Sequence, residues 1–178
     1  ETGEIRIQRE LSAFGDLRGW IDALKREGKL HEIDAEVDWD VEIGSIIRMA
    51  QGTGASPAFL FNNIRDYNEP DALSSQIFTG GQGSYSRLAM MFGLPADTHP
   101  REMVKICRTI FNERVAPVFV KDGPVKENIL TGDDIDLWAY PVPKWHPEDG
   151  GRYITLPHVY SRNPRTGRRN VGMYRIQF

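Results

Sequence analysis

The sequence predicts an α+β protein, in which a mixed α/β layer is followed by the first strands of a split, barrel-like β unit. Two observations carry that expectation. Apolar residues recur at helical spacing in four segments before Val115, with short apolar strand-like runs between them. Seven of the 11 prolines then fall after Val115, which excludes long helices from the last third.

Each element follows from local chemistry. Asp16 is placed to cap a first helix whose Leu17, Trp20, Ile21 and Leu24 share a face, and Gly28 closes it. A strand is expected over Leu30 to Val37. Asp40 is placed to cap a second helix carrying Ile43, Ile46, Ile47 and Ala50, which the polar stretch from Gln51 to Ser56 ends. Pro57 to Ile64 reads as a buried strand and Gln76 to Thr79 as a short one. Ser84 then caps a helix with Leu88, Ala89, Met91 and Phe92, and Pro100 opens a fourth with Met103, Val104, Cys107, Ile110 and Phe111 inside.

The organisation expected is an N-terminal extension over 1–15, an α/β domain over 16–116 and the start of a β domain over 117–178. In that last part Thr155 to Tyr160 and Asn170 to Phe178 read as a hairpin, its turn made by Asn163-Pro164 and Gly167. The second strand is still open at Phe178. A lone hairpin is marginal in water, so the expectation is a fragment of a longer protein.

With 22 Lys and Arg against 25 Asp and Glu, the formal charge is -3, and no global basic field exists to grip nucleic acid or an anionic membrane. Cys107 is the only cysteine, which excludes an intrachain disulfide and any multi-thiolate zinc site and favours a cytoplasmic protein. Apolar runs such as Ala58 to Phe61 are far short of the ~20 residues of a membrane-spanning helix.

Several features invite a chemical reading and lose it on spacing. Gly80-Gly81-Gln82-Gly83-Ser84 precedes a helix, yet it lacks the third glycine of a dinucleotide fingerprint and the Gly-Lys pair of a P-loop. His146, Glu148 and Asp149 lie close together, but Pro147 and Gly150-Gly151 make the segment a solvated loop. Cys107 belongs to a packing face. Arg162, Arg165, Arg168 and Arg169 make the hairpin tip basic, suited to a phosphate, to an acidic partner or simply to water.

The segment from Asn170 to Arg175 holds the strongest chemistry. An Asn carbonyl is a hard oxygen ligand for Mn²⁺ or Mg²⁺, and a guanidinium can grip a carboxylate while lying on an aromatic ring. Ideal alternation puts residues five apart on opposite faces, so a shared site needs a twist or a bulge, expected at Gly172.

Four stretches together resemble the UbiD-like decarboxylases that use prenylated FMN. They are Asp16 to Trp20, Ser86 to Leu94, Thr131 to Leu137 with its proline-rich sequel through His146, and Asp149 to Arg175. The resemblance implies a flavin-binding β domain in which Asn170 ligates a divalent metal, usually Mn²⁺, tied to the cofactor phosphate, with K⁺ as a further candidate ion. It implies that Met173, Tyr174 and Arg175 line the prenylated flavin and that Arg175 is catalytic, meeting the substrate carboxylate. Family chemistry runs through a covalent adduct of flavin and acid, loss of CO₂ and protonation of the product. The family's remaining metal ligands and its catalytic acid lie downstream of the segment matching Asn170 to Arg175, so this chain by itself is expected to be inactive.

The implied substrate is a small aromatic or α,β-unsaturated carboxylic acid, with quinone biosynthesis as the favoured setting. A flavin prenyltransferase would supply the cofactor to a homo-oligomer. Two other classes compete: a non-catalytic α/β module that pairs with another subunit, and a split-barrel flavin reductase holding ordinary FMN.

Overall fold

A computed structural model describes residues 14–52, 56–69, 72–112, 116 and 118–178. The extension expected over 1–15 lies outside the described residues except for its last two. The chain divides into two compact units, one of the residues up to His31 with Gly80–Asp136, the other of Glu32–Thr79 with Leu137–Phe178.

In the first unit, α1 (Leu17–Arg26) starts where the Asp16 carboxylate accepts from the Gly19 amide at 2.8 Å, and Gly28 follows it at φ +61°. Its buried face is Trp20, Ala23 and Leu24, while Leu17 is exposed. Next in this unit comes α3 (Tyr85–Met91), capped by Ser84 as expected, its hydroxyl accepting from the Arg87 amide at 3.3 Å. Arg87 on that helix is buried, and desolvation pushes its pKa below the ordinary arginine value. The inner face of α4 (Pro100–Asn112) is Met103 and Ile106, with Cys107 half-buried; Val104 and Phe111, expected inside, are exposed. Val104 and Phe111 lie on the flank of the Met103–Ile106 stripe, so only part of the expected face is buried. Beyond α4, the described residues of this unit form short 3-10 turns at Pro124–Lys126 and Gly132–Asp134.

The second unit contains most of a three-stranded sheet in the order β1-β2-β3, with β1 (Leu30–Ile33) on the line of division. β2 (Ala58–Phe61) and β3 (Ile77–Thr79) are antiparallel, with Phe59 opposite Thr79 and Phe61 opposite Ile77. Val37, Ile43, Phe59, Phe61, Ile64 and Tyr67 form its core, and Ile46, Ile47 and Ala50 of α2 (Glu42–Gly52) pack against it. The strand expected through Val37 stops at Ile33, and Val37 returns as a parallel bridge to Ile64.

Asp40 does not cap α2. The Asp38 carboxylate accepts from the Asp40 amide at 2.8 Å, and Glu42 reaches back to the Asp38 amide at 2.7 Å, so the first-turn acid ties the loop instead. Arg65 pairs with Glu36 and Asp38, and the Glu36 hydrogen bond leads in raising its pKa, with the Asp38 charge adding to it.

The last third is strand and loop, as its prolines demand. After a 3-10 turn at Leu137–Ala139, β4 (Tyr153–Ile154) pairs with β7 (Ile176–Gln177), and β5 (His158–Arg162) pairs with β6 (Arg169–Met173). Both ladders are antiparallel and neither is closed. The expected hairpin is present from His158 onward. Its turn is held by the Asn163 side chain, which accepts from the Arg165 and Thr166 amides at 2.9 and 3.0 Å, while Gly167 takes φ +69°. The long strand expected over Asn170 to Phe178 is broken at Tyr174–Arg175, where the chain changes partner from β5 to β4.

Candidate functional site

A rigid loop builds the site's base. Lys144 and Asp40 form a parallel bridge, with the Val41 amide donating to the Lys144 carbonyl at 2.8 Å and the Lys144 amide to the Trp39 carbonyl at 3.0 Å. Gly44 on α2 lies directly against the Trp145 carbonyl, where any side chain would collide with the backbone. The Trp145 indole donates to the Tyr153 carbonyl at 2.8 Å, and the Tyr153 amide donates to the Pro143 carbonyl at 2.9 Å. Residues 143–153 are thus pinned at both ends.

Asp149 closes the turn within this loop. Its Oδ2 accepts from the His146 amide at 3.1 Å, and its own amide donates to the His146 carbonyl at 3.0 Å. The other carboxylate oxygen, Oδ1, faces Arg175 Nη2 at 3.6 Å. Arg175 lies over the Tyr153 ring, its guanidinium carbon 3.8 Å from the centroid. Tyr153 in turn donates its hydroxyl proton to Gln177 Oε1 at 2.9 Å, across the pair Tyr153–Gln177 of the β4–β7 ladder. A Cβ at Gly151 would come within 2.7 Å of the Phe178 carbonyl oxygen, so glycine lets the loop approach the end of the strand.

Arg152 anchors the neighbouring face. Its guanidinium carbon lies 3.4 Å from the Trp39 ring centre and 5.1 Å from that of Trp138, and it donates to the Tyr67 hydroxyl. That hydroxyl donates to the Trp138 carbonyl at 2.9 Å, and the Phe178 amide donates to the Arg152 carbonyl at 2.9 Å. Beside this construction is an open cleft of about 330 Å³, whose walls include Phe78, Tyr140, Val142, Trp145, Tyr153 and Leu156.

Asn170 stands differently. It is exposed on β6 opposite Ser161, beside an open cleft of about 360 Å³ lined also by Arg162, Asn163, Arg168 and Arg169. Arg162 and Arg169 are direct cross-strand neighbours. Met173, opposite His158, is exposed as well, and the Tyr174 ring folds over Gly172. Gly172 therefore accommodates a ring rather than a bulge, and the break that separates Asn170 from Arg175 comes two residues later.

The donor set tests the implied metal. Among the described residues no group of three His, Cys, Asp or Glu side chains is placed to hold an ion. Asn170 can give one oxygen ligand, and the rest of such a shell is not supplied by that set. The aromatic-walled cleft fits a flat ring system, but its lining includes none of Met173, Tyr174 and Arg175, the first two of which are exposed; the ion pair of Arg175 with Asp149 is long and one-sided and leaves guanidinium donors for a carboxylate.

Sequence reasoning singled out Asn170 and Arg175 and passed over Asp149 and Tyr153, which the structure places against Arg175. Asp149 was read with His146 and Glu148 as solvated loop; His146 and Glu148 are exposed, but the Asp149 side chain is 13% exposed, hydrogen-bonded through Oδ2 and facing Arg175 through Oδ1. The adjoining Gly150-Gly151 was the available signal, since it permits the close approach of the 149–151 loop to β7.

Comparison with known proteins fixes the family. Residues 21–107 match the 3-octaprenyl-4-hydroxybenzoate carboxy-lyase N-terminal domain, and residues 118–178 match the Rift-related domain of the same carboxy-lyase family. The chain belongs to the UbiD family. It is 41% identical over 144 residues to pyrrole-2-carboxylic acid decarboxylase of Pseudomonas aeruginosa, covering 78% of this chain and 29% of that protein. Among solved structures, the closed form of Sedimentibacter hydroxybenzoicus vanillic acid decarboxylase superposes with a TM-score of 0.81 at 30% identity, over 94% of this chain and 36% of that one. An evolved dimeric form of the UbiD-class enzyme HmfF from Pelotomaculum thermopropionicum, in complex with prFMN, gives 0.76 at 29% identity, over 90% and 35%. This UbiD-family chain spans about a third of the length of the curated relatives it matches.

Proposed function

We propose that the complete protein is a non-oxidative (de)carboxylase that acts on aromatic or α,β-unsaturated carboxylic acids with prenylated FMN. The observation that carries this reading is Arg175, a guanidinium placed over the Tyr153 ring with donors left by its long ion pair to Asp149, in a UbiD-family segment that also presents Asn170. Arg175 binds the substrate carboxylate and sets its plane, so that the carbon–carbon bond to be broken is oriented before it breaks. Met173 and Tyr174 line the flavin, and Asn170 gives one ligand to a divalent metal, Mn²⁺ by its hard oxygen donor, with K⁺ as an accessory ion. Prenylated FMN, when bound, would supply the electron sink for the pair left on the substrate when CO₂ departs.

Pyrrole-2-carboxylic and vanillic acids, named for two relatives, support aromatic acids as the substrate class. Quinone precursors are a narrower member of it. The division between a 16–116 α/β domain and a β domain from 117 is supported by family matches that end at 107 and resume at 118, and the β domain's short open ladders suit the first strands of a split barrel. No helix among the described residues is long and apolar enough to cross a membrane, and we place the protein in the cytoplasm as a homo-oligomer served by a flavin prenyltransferase.

The test is CO₂ release by the complete protein, produced together with a flavin prenyltransferase, from a panel containing pyrrole-2-carboxylate and vanillate. Turnover of at least one acid is expected, falling about 100-fold or more in Arg175→Ala. Loaded protein that turns over no aromatic or unsaturated acid would overturn the reading.

A further inference from the structure

Arg175 can hold a carboxylate productively only if its own plane is fixed, and two contacts from the 149–153 segment fix it. The Tyr153 ring lies beneath the guanidinium at 3.8 Å, Asp149 Oδ1 faces one of its edges at 3.6 Å, and Gln177 of β7 anchors the Tyr153 hydroxyl at 2.9 Å. Arg175 is half-exposed, so a long, rotamer-rich side chain would otherwise sample many orientations. We infer that Tyr153 and Asp149 are positioning residues for Arg175: the ring sets the plane of the guanidinium, and the carboxylate sets its rotation within that plane, leaving the remaining N–H edge to the substrate acid.

The division of labour within Asp149 supports this. Oδ2 is engaged by the His146 amide, which fixes the carboxylate to the loop, and the loop is fixed in turn through Trp145 and Gly44. A separation of 3.6 Å lies beyond an ordinary hydrogen bond, so Asp149 steers the guanidinium without occupying the donors that a bidentate acid needs. Tyr153 contributes attraction through its ring face and stiffness through its anchored hydroxyl.

The inference rests on the carboxylate-binding role of Arg175 proposed above, and the test separates the two. Binding of pyrrole-2-carboxylate and of its neutral amide to the complete protein is measured by titration calorimetry, and the ratio of the two affinities is the readout. Circular dichroism and thermal melting verify that each variant is folded. Tyr153→Leu is expected to lower the acid preference about tenfold. Tyr153→Phe, which keeps the ring, should stay within about threefold of the parent. Asp149→Asn, which can still accept from the His146 amide, should lower the preference about threefold. A preference that is lost in Arg175→Ala but unchanged in Tyr153→Leu overturns the positioning role of the ring, and a tighter grip on the acid in Asp149→Asn shows competition instead of positioning. No acid preference in the parent protein, or one that survives Arg175→Ala, overturns the role of Arg175 itself.

Discussion

Asn170 and Arg175 are five residues apart on one stretch of chain, yet they are supported in opposite ways. Arg175 sits just before β7 on a platform made by Tyr153 and Asp149, and that platform is tied to α2 through Gly44 and Trp145. Asn170 lies on an exposed ladder whose support is the turn at its end and one partner strand. The difference matches the role proposed for each group. A guanidinium must present a fixed plane to a carboxylate, so its orientation has to be built into the protein. A carbonyl ligand need only reach an ion, and the ion itself completes its geometry.

That contrast can be broken by substitution, and the largest effect belongs at the supported end. Gly44→Ala drives a Cβ into the Trp145 carbonyl, and because backbone has to move, a loss of about 3 kcal/mol is expected in denaturant unfolding of the complete protein. Next is Gly151→Ala, whose Cβ would meet the Phe178 carbonyl oxygen at 2.7 Å; parting the 149–151 loop from β7 should cost about 2 kcal/mol in the same assay. At the other end Asn163→Ala removes two side-chain bonds from the hairpin turn, and about 1 kcal/mol is expected. The smallest effect is that of Asn170→Ala. An exposed side chain opposite Ser161 should change stability by less than about 0.5 kcal/mol, and a larger loss would mean that Asn170 is part of the scaffold.

Much of this was legible in the residues. Asp16 and Ser84 announced helix starts because a side-chain oxygen before an apolar period satisfies amides that the helix leaves open, and the structure shows both bonds. Asp40 carried the same signal and failed. Asp38 and Glu42 compete for the loop amides there, and Val41 takes φ +70°, which no rule of capping foresees. Strand existence was legible and strand extent was not. The run from Asn170 to Phe178 is continuous in sequence, but its break at Tyr174 depends on a change of partner strand, a tertiary event.

The site divides along the same line. Asn170 and Arg175 carry unusual chemistry in a local pattern, and a resemblance can point to them. Asp149 and Tyr153 matter only because the chain returns across 22 residues or more to place Arg175 against them, and a loop aspartate looks alike whether it faces water or a guanidinium.

The central claim, that this UbiD-family segment holds a prenylated flavin through Asn170, is tested most directly by native mass spectrometry of the complete protein, parent beside Asn170→Ala. The account predicts a parent species carrying prenylated FMN and a divalent metal, and a folded variant that has lost both. Equal flavin and metal in the two proteins would contradict it.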